Sequence, residues 1–377
     1  MFRHIHVIAF DIPDPPVYGG AIDVFYRIKS LSELGVQISL HCFYKGDLRP
    51  SDELAKLCKE VYYYPRKTSI VQHAHFLPYG VISRTHEELL PRLLNDKDPI
   101  LFEGLVSCAL MRHPALRQRK KYFRECNVEH DYYHALGRAS HSIWKKIFFH
   151  LEACRLKYFE KTLRYANGIF ALAHQDEAYF KTHYPEVQTT YAPCFHPFTK
   201  TSIPSGLGKY ILYHGNLAVA ENHNAAMYIL RQIASVISYP IIIAGAKPNG
   251  LLRKTAAQYK HVTLIDTPER QTMQQLIRDA QLHLLITFQP TGIKLKLLSV
   301  LYTGRQVLVN PEMVVGTELA PLCNIASSSQ EMITLIHSLI KEPVTEENIH
   351  KRETILNQGY NNTKSAQIII RTIYQSL

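Results

Sequence analysis

Leu282-His283-Leu284-Leu285-Ile286 is an apolar run, Gln289-Pro290-Thr291 is a turn, and Gly292-Ile293-Lys294-Leu295-Lys296-Leu297-Leu298 opens a second apolar segment behind two lysines. The first run has the length and composition of a buried strand and the last that of a helix, so the stretch reads as a strand–turn–helix unit. A glycine turn lets backbone N–H groups approach an anion, the helix N-terminus adds its positive dipole end, and Lys294 and Lys296 add full charge. That combination suits a diphosphate. An ordinary βα turn carrying two surface lysines has the same pattern. It is neither a Walker loop nor a dinucleotide fingerprint, both of which need other glycine spacings.

The same alternation extends in both directions. Upstream, strands near His6 to Phe10, Gln37 to Phe43, Val61 to Tyr64 and Pro99 to Glu103 alternate with helices at Ala21 to Leu34, Asp52 to Lys59 and Glu87 to Leu94. A helical region from Tyr132 to Leu163 follows, then a strand at Gly168 to Ala173. A second series begins at Tyr210 to Asn216, continues through a helix at Asn224 to Val236, and has strands at Ile241 to Ala244, Val262 to Ile265, His283 to Ile286 and Gln306 to Asn310. Strand–helix alternation predicts parallel sheets with helices on both faces. The expected fold is α/β, with two Rossmann-like, doubly wound domains facing a cleft: 1–195, a Pro- and Gly-rich linker over 196–209, and 210–360. An amphipathic helix in 361–377 is expected to cross back onto the first domain. Glu103 ends a strand, where it either faces a crevice or caps the next helix.

With 377 residues, 46% hydrophobic and 20% charged, the composition is globular and excludes a disordered chain. The net charge of +11 is uneven: Arg112 to Arg164 holds 13 Lys and Arg against 5 Asp and Glu. Arg117-Gln118-Arg119-Lys120-Lys121 and Lys145-Lys146, interleaved with Tyr132, Tyr133, Trp144, Phe148 and Phe149, fit an anionic lipid surface, an acidic glycan, or a solvated helical face. Nucleic acid is not expected, since no binding module accompanies the charge. No apolar run is long enough for a transmembrane helix, and the N-terminus reads as a strand rather than a secretory signal. Seven cysteines without a Cys-x-x-Cys pair give neither a disulfide framework nor a zinc ribbon, so a cytosolic protein with reduced thiols is expected. Asn361-Asn362-Thr363 would be a glycosylation sequon only in a secreted protein.

Four segments, in order, resemble the GT-B glycosyltransferases, in particular the retaining family 4 group of bacterial type. They are Pro16-Val17-Tyr18-Gly19-Gly20 with the helix after it, Cys126-Asn127-Val128-Glu129-His130-Asp131-Tyr132-Tyr133, His214-Gly215-Asn216-Leu217 with Asn222 and Ala225-Ala226, and Gly292 to Leu298 with Tyr302 to Leu308. The resemblance implies a nucleotide-sugar donor on the second domain and a glycan or lipid-linked acceptor on the first, in surface polysaccharide or glycoconjugate synthesis. Gly19 and Gly20 on one side, and Gly215, Asn216, Thr291, Gly292, Lys294, Lys296 and Ser299 on the other, are the implied donor-binding residues. His130 matches a position near the reacting sugar, and an ordinary packed histidine is the competing reading. Glu103 is a second implied catalytic residue, and Arg84 and Tyr133 lie on the acceptor side. Stabilising the departing diphosphate is the main electrostatic task, and the phosphate itself can take the acceptor proton. No cofactor is implied, and transfer is expected to be metal-independent.

One departure stands out. The common family pattern has Glu at two positions eight apart; here they are Thr291 and Ser299. A serine offers one hydrogen bond where a carboxylate grips two ribose hydroxyls. A GT-B sugar-nucleotide epimerase or hydrolase, and a degenerate scaffold without catalysis, therefore remain alternatives. Asp96-Lys97-Asp98 invites a metal reading but precedes a strand in a turn, and His4-x-His6 and His73-x-His75 have no third ligand at a recognisable spacing, so no metal site is expected.

Overall fold

β1 (Arg3–Ala9) is buried continuously from Ile5 to Ala9, the pattern of a strand covered on both faces. In the computed structural model of the chain, residues 3–69, 72, 75–140, 142–288 and 295–375 are described. β1 pairs with β2 (Val36–Tyr44), and the sheet extends through β3 (Glu60–Pro65), β4 (Ile100–Glu103), β5 (Lys121–Arg124), β6 (Gly168–Ala171) and β7 (Gln188–Tyr191). The order is β3-β2-β1-β4-β5-β6-β7, with parallel pairings. A second parallel sheet holds β8 (Ile211–His214), β9 (Ile241–Gly245), β10 (Val262–Asp266), β11 (Leu282–Leu285), β12 (Gln306–Val309) and β13 (Asn324–Ile325), in the order β10-β9-β8-β11-β12-β13.

The chain divides into two compact units, one of Met1–Pro197 and Tyr360–Leu377, the other of Phe198–Pro290 and Lys294–Gly359. In the first, α1 (Gly19–Glu33) lays Val24, Ile28 and Leu31 on the sheet beside Ile5, Val7 and Ile38. The expected single helical region is two helices, α2 (Glu129–Ala139) and α3 (Ile143–Glu160), because Ser140 leaves the helix with an extended ψ of 137°. In the second unit, α4 (Ala220–Tyr228) follows β8 and α5 (Leu295–Thr303) follows the segment after β11.

The last helix, α6 (Asn362–Tyr374), belongs to the first unit: Ala366, Ile369, Ile370 and Ile373 join the cluster that holds Val24 and Ile28. Asn361 caps α6 by accepting from the Lys364 N–H at 3.0 Å, so the sequon asparagine serves as a helix cap. Tyr374 closes the contact by donating to the His4 carbonyl at 2.7 Å.

Candidate functional site

In each sheet the first strand lies inside, and the topology reverses between β1 and β4 and between β8 and β11. Ligands of open α/β sheets bind beyond the carboxyl ends of strands at such reversals. In the second unit, β8 ends at His214, and the Gly215 N–H donates to the Ala244 carbonyl at 3.1 Å. A Cβ on Gly245 would stand 1.7 Å from the Gly215 carbonyl oxygen. The two strand ends therefore meet backbone to backbone. Lys296 of α5 donates to Asn222 Oδ1 at 3.0 Å, and Asn222 Nδ2 donates to the Asn216 carbonyl at 3.0 Å. Asn216 and Lys296 thus share one network through Asn222, whose side chain a Cβ on Gly215 would meet at 3.0 Å, and the Lys296 ammonium lies 5.4 Å from the Tyr213 ring centroid. Burial first, and the Lys296 charge second, push the His214 imidazole down to about 3, which keeps it neutral.

Ser299 is half-buried on α5, three residues beyond Lys296 and on the same helical face. Thr291, Gly292 and Lys294 lie outside the described residues. At the end of β11, Asn310 clamps Thr287, accepting from its N–H at 3.0 Å and donating to its carbonyl at 2.6 Å. The Thr287 hydroxyl bonds Glu221, in the first turn of α4. Sequence reasoning missed Glu221, Thr287 and Asn310. The available signal was position: Thr287 and Asn310 lie just after strands, and Glu221 lies in the first turn of the helix after β8.

In the first unit, the β1 end is organised by Phe10. Arg84 Nε donates to the Phe10 carbonyl at 2.5 Å and its Nη1 to the Gly80 carbonyl at 2.9 Å. A Cβ on Gly20 would lie 2.8 Å from Phe10 Cζ, so the glycine lets α1 start against the ring. Gly19 is exposed at the start of α1, and among the described residues no side chain caps that first turn. Gly104, after β4, has φ +67°, and a Cβ there would meet Cys126 Sγ at 3.4 Å and Glu129 Oε1 at 3.5 Å. Burial pushes the Glu129 carboxyl up to about 7, with Arg84 opposing and Glu160 reinforcing the shift. Burial and Arg66 in turn push Arg84 down to about 10. Tyr133, one turn beyond Glu129, packs its ring edge-on to Phe149 at 6.0 Å.

Two expectations change here. Glu103 does not face a crevice: it is 0% exposed, and both of its oxygens accept from Arg27 of α1. Arg27 also donates to Asp23 at 2.5 Å, and Asp23 accepts from the Phe195 N–H at 2.7 Å and from Arg124 at 3.4 Å. A guanidinium buried under α1 requires carboxylates around it, and Glu103 is one of them. His130 is 4% exposed, with Nδ1 3.2 Å from Glu160 Oε2, and Tyr179 and Tyr184 donate to the other Glu160 oxygen at 2.7 and 2.8 Å. It is a packed, hydrogen-bonded side chain. The neighbouring Glu129, half-buried beside Gly104, is the group that sequence reasoning passed over.

The basic stretch also divides. Arg119 is 8% exposed and donates to the Asp98 carbonyl at 3.0 Å, and Lys121 is 3% exposed and donates to the Met111 carbonyl at 2.9 Å. Neither belongs to a charged surface. α3 does: Ile143, Trp144, Ile147, Leu151 and Tyr158 are all exposed, Trp144 at 78%, with Lys145 and Lys157 exposed and Lys146 half-buried among them. Among the described residues no helix is long and apolar enough to cross a membrane. The seven cysteines are free, Cys154 of α3 being exposed.

No family model matches the chain. A Klebsiella pneumoniae protein described as an uncharacterized 44.6 kDa protein in the cps region is 26% identical over 309 residues, 78% of this chain and 79% of that protein. Among solved structures, sucrose-phosphate synthase from Thermosynechococcus elongatus superposes with a TM-score of 0.70 at 12% identity, over 99% of each chain. The Anabaena protein HepE, in complex with UDP and glucose, gives 0.64 at 12% identity over 100% of both chains. A UDP-forming α,α-trehalose-phosphate synthase from Burkholderia xenovorans gives 0.61 at 10% identity over 99% of each. At these identities the likeness is one of fold, and the fold of this chain is GT-B, two parallel-sheet α/β units of seven and six strands.

Proposed function

We propose that the chain is a retaining glycosyltransferase of the family 4 type, moving a hexose from a nucleotide-sugar donor to a glycan or lipid-linked acceptor in surface-polysaccharide synthesis. The observation that carries this is the network of Asn216, Asn222 and Lys296 beside Gly215 at the β8/β11 reversal, which holds a lysine beside a backbone turn as a diphosphate requires. The full-length likeness to HepE, solved with UDP and glucose, supports a nucleotide-sugar donor. The relative from a cps region supports polysaccharide synthesis.

In this reading Lys296, with Lys294, offsets the charge that builds on the diphosphate as the glycosidic bond breaks. The departing phosphate takes the acceptor proton, so no strong base is needed. Arg84, Glu129 and Tyr133 form the acceptor side, and no metal takes part. The exposed apolar and basic face of α3 meets the anionic cytosolic surface of a membrane, where a lipid-linked acceptor would lie. Beside it, a pocket of about 230 Å³ lined by Arg112, Tyr158, Lys161 and Arg164 adds further positive charge.

A non-catalytic scaffold is the second reading, favoured by Ser299 at the position of the ribose-binding carboxylate. The deciding experiment follows nucleoside diphosphate release from UDP-, GDP- and ADP-sugars, with and without a surface-glycan extract. Acceptor-dependent release, with the donor's anomeric configuration kept in the product, supports transfer. Release that needs no acceptor would make the chain a hydrolase or epimerase, and absence of release and of nucleotide binding would make it a scaffold.

A further inference from the structure

The two sequence pairs that lacked a partner, His4-x-His6 and Asp96-x-Asp98, meet at the opposite end of the first sheet from the candidate site. β1 begins with His4 and His6, and the loop before β4 carries both aspartates. His6 Nε2 lies 2.8 Å from Asp96 Oδ2, and His4 Nδ1 lies 2.6 Å from Asp98 Oδ2. One ligand atom from each of His4, His6 and Asp96 falls within 4.8 Å of the other two.

We propose that His4, His6 and Asp96, with Asp98 adjacent, form a structural site for a divalent transition metal of the Zn²⁺ class. Two imidazoles and one or two carboxylates are a zinc donor set, with metal–ligand distances of about 2.0–2.2 Å that put tetrahedral ligands roughly 3.3 Å apart. The His6–Asp96 and His4–Asp98 pairs already stand 2.8 and 2.6 Å apart, and the ligand atoms of His4, His6 and Asp96 lie within 4.8 Å of one another.

The surroundings have the form of an outer shell. Arg119 Nη2 donates to the other Asp96 oxygen at 3.0 Å, and the Asp98 N–H donates to the same atom at 2.9 Å. These bonds leave Oδ2 to face the histidines. His6 Nδ1 lies 3.0 Å from His41 Nε2, and His41 Nδ1 lies 2.9 Å from the Tyr64 hydroxyl. That chain can be written in either tautomeric sense without gaining or losing a proton. With His6 Nε2–H donating to Asp96 it runs from Tyr64 inward; with a metal on Nε2 it runs outward from a His6 Nδ1–H. Ordering a metal ligand through its second nitrogen is the usual outer-shell arrangement. His4 Nε2 has a parallel partner in Ser39 Oγ at 3.0 Å, which reaches Glu60 at 3.1 Å.

A metal here would tie the start of β1 to the loop entering β4, and its effect would fall on the stability of the first unit rather than on transfer. The test uses the full chain, free of any histidine tag and freed of metal by dialysis against a chelator. Titrating Zn²⁺ should give one tight site per chain and raise Tm by about 5–10 °C at a hundredfold excess over Kd. Asp96→Asn and His4→Gln should each weaken binding at least about tenfold. Co²⁺ added to the unsubstituted protein should give the intense visible bands of tetrahedral coordination, a readout independent of how the variants fold. Absence of a tight site, binding that survives both substitutions, or only the weak spectrum of octahedral Co²⁺ would overturn the proposal.

Discussion

Replacing Lys296 with Met keeps the length of the side chain and removes its charge. In the structure the ammonium makes a 3.0 Å bond to Asn222 and lies against the Tyr213 ring. If it also contacts a donor diphosphate, the loss is one charge-assisted hydrogen bond, about 1.5–3 kcal/mol. That equals roughly a 10- to 150-fold rise in Kd. Losing the half-buried bond to Asn222 should cost the fold about 1 kcal/mol, a fall in Tm of a few degrees. The two effects are read separately, by calorimetric titration of the nucleotide-sugar and by a melt of the free protein. His214 should stay neutral in the variant, since burial rather than Lys296 is the larger cause of its low pKa. A melt shifted by a few degrees with nucleotide affinity unchanged would refute the diphosphate role of Lys296.

Glu103→Gln should destabilise the protein by about 3–5 kcal/mol, because it breaks a buried ion pair and leaves Arg27 undercompensated; a stable variant with lost turnover would instead restore Glu103 to catalysis. Glu129 has a folded pKa raised from the model-peptide range to about 7, so it holds its proton more tightly in the native state. Its effect on stability is absent below the unfolded pKa and grows unfavourable as pH rises toward 7. Glu129→Gln should therefore remove a loss of the order of 1–3 kcal/mol between about pH 4.5 and 7, measured by denaturant melts across that range. EDTA should leave the transfer rate intact well below Tm, and loss restored by Mn²⁺ would contradict metal-free stabilisation of the leaving group. Reversing the charges at Lys145 and Lys146 should weaken binding to vesicles rich in anionic lipid at low salt, by about 1 kcal/mol or more per residue, without changing nucleotide affinity; wild-type protein that ignores such vesicles would argue for a soluble acceptor.

Most strands were legible in sequence, the half-buried edge strands β3 and β10 among them. β1, β8, β9 and β11 are read from runs of apolar residues covered on both faces, in which His4, His6, His214 and His283 also stand. β5 escaped because Lys121 and Arg124 bracket only two apolar residues, and their burial depends on carbonyls of Met111, Ala192 and Pro193 that are distant in sequence. β7, an edge strand of Gln188-Thr189-Thr190-Tyr191, is half-buried and polar, with no alternation to read. At the candidate site, Gly215, Asn216 and Lys296 could be read because their spacing in sequence carries the chemistry. Glu221, Thr287 and Asn310 could not, since they meet only after β8, β11 and β12 lie side by side. Glu103 was misread for a related reason: the strand end was visible, but Arg27 beneath α1 was not.

The central claim is that the second unit holds a nucleotide-sugar, and the direct measurement is a thermal-shift panel of UDP-, GDP- and ADP-sugars on the full chain, repeated with Lys296→Met. A ligand that binds only the native state must raise the melt, by an amount that grows with concentration over Kd. The account predicts that sugars of one nucleotide raise Tm in a concentration-dependent way and that Lys296→Met moves the half-point at least tenfold higher. If no member of the panel shifts the melt at millimolar concentration, or if the variant responds like the wild type, the β8/β11 turn is an ordinary turn with a surface lysine.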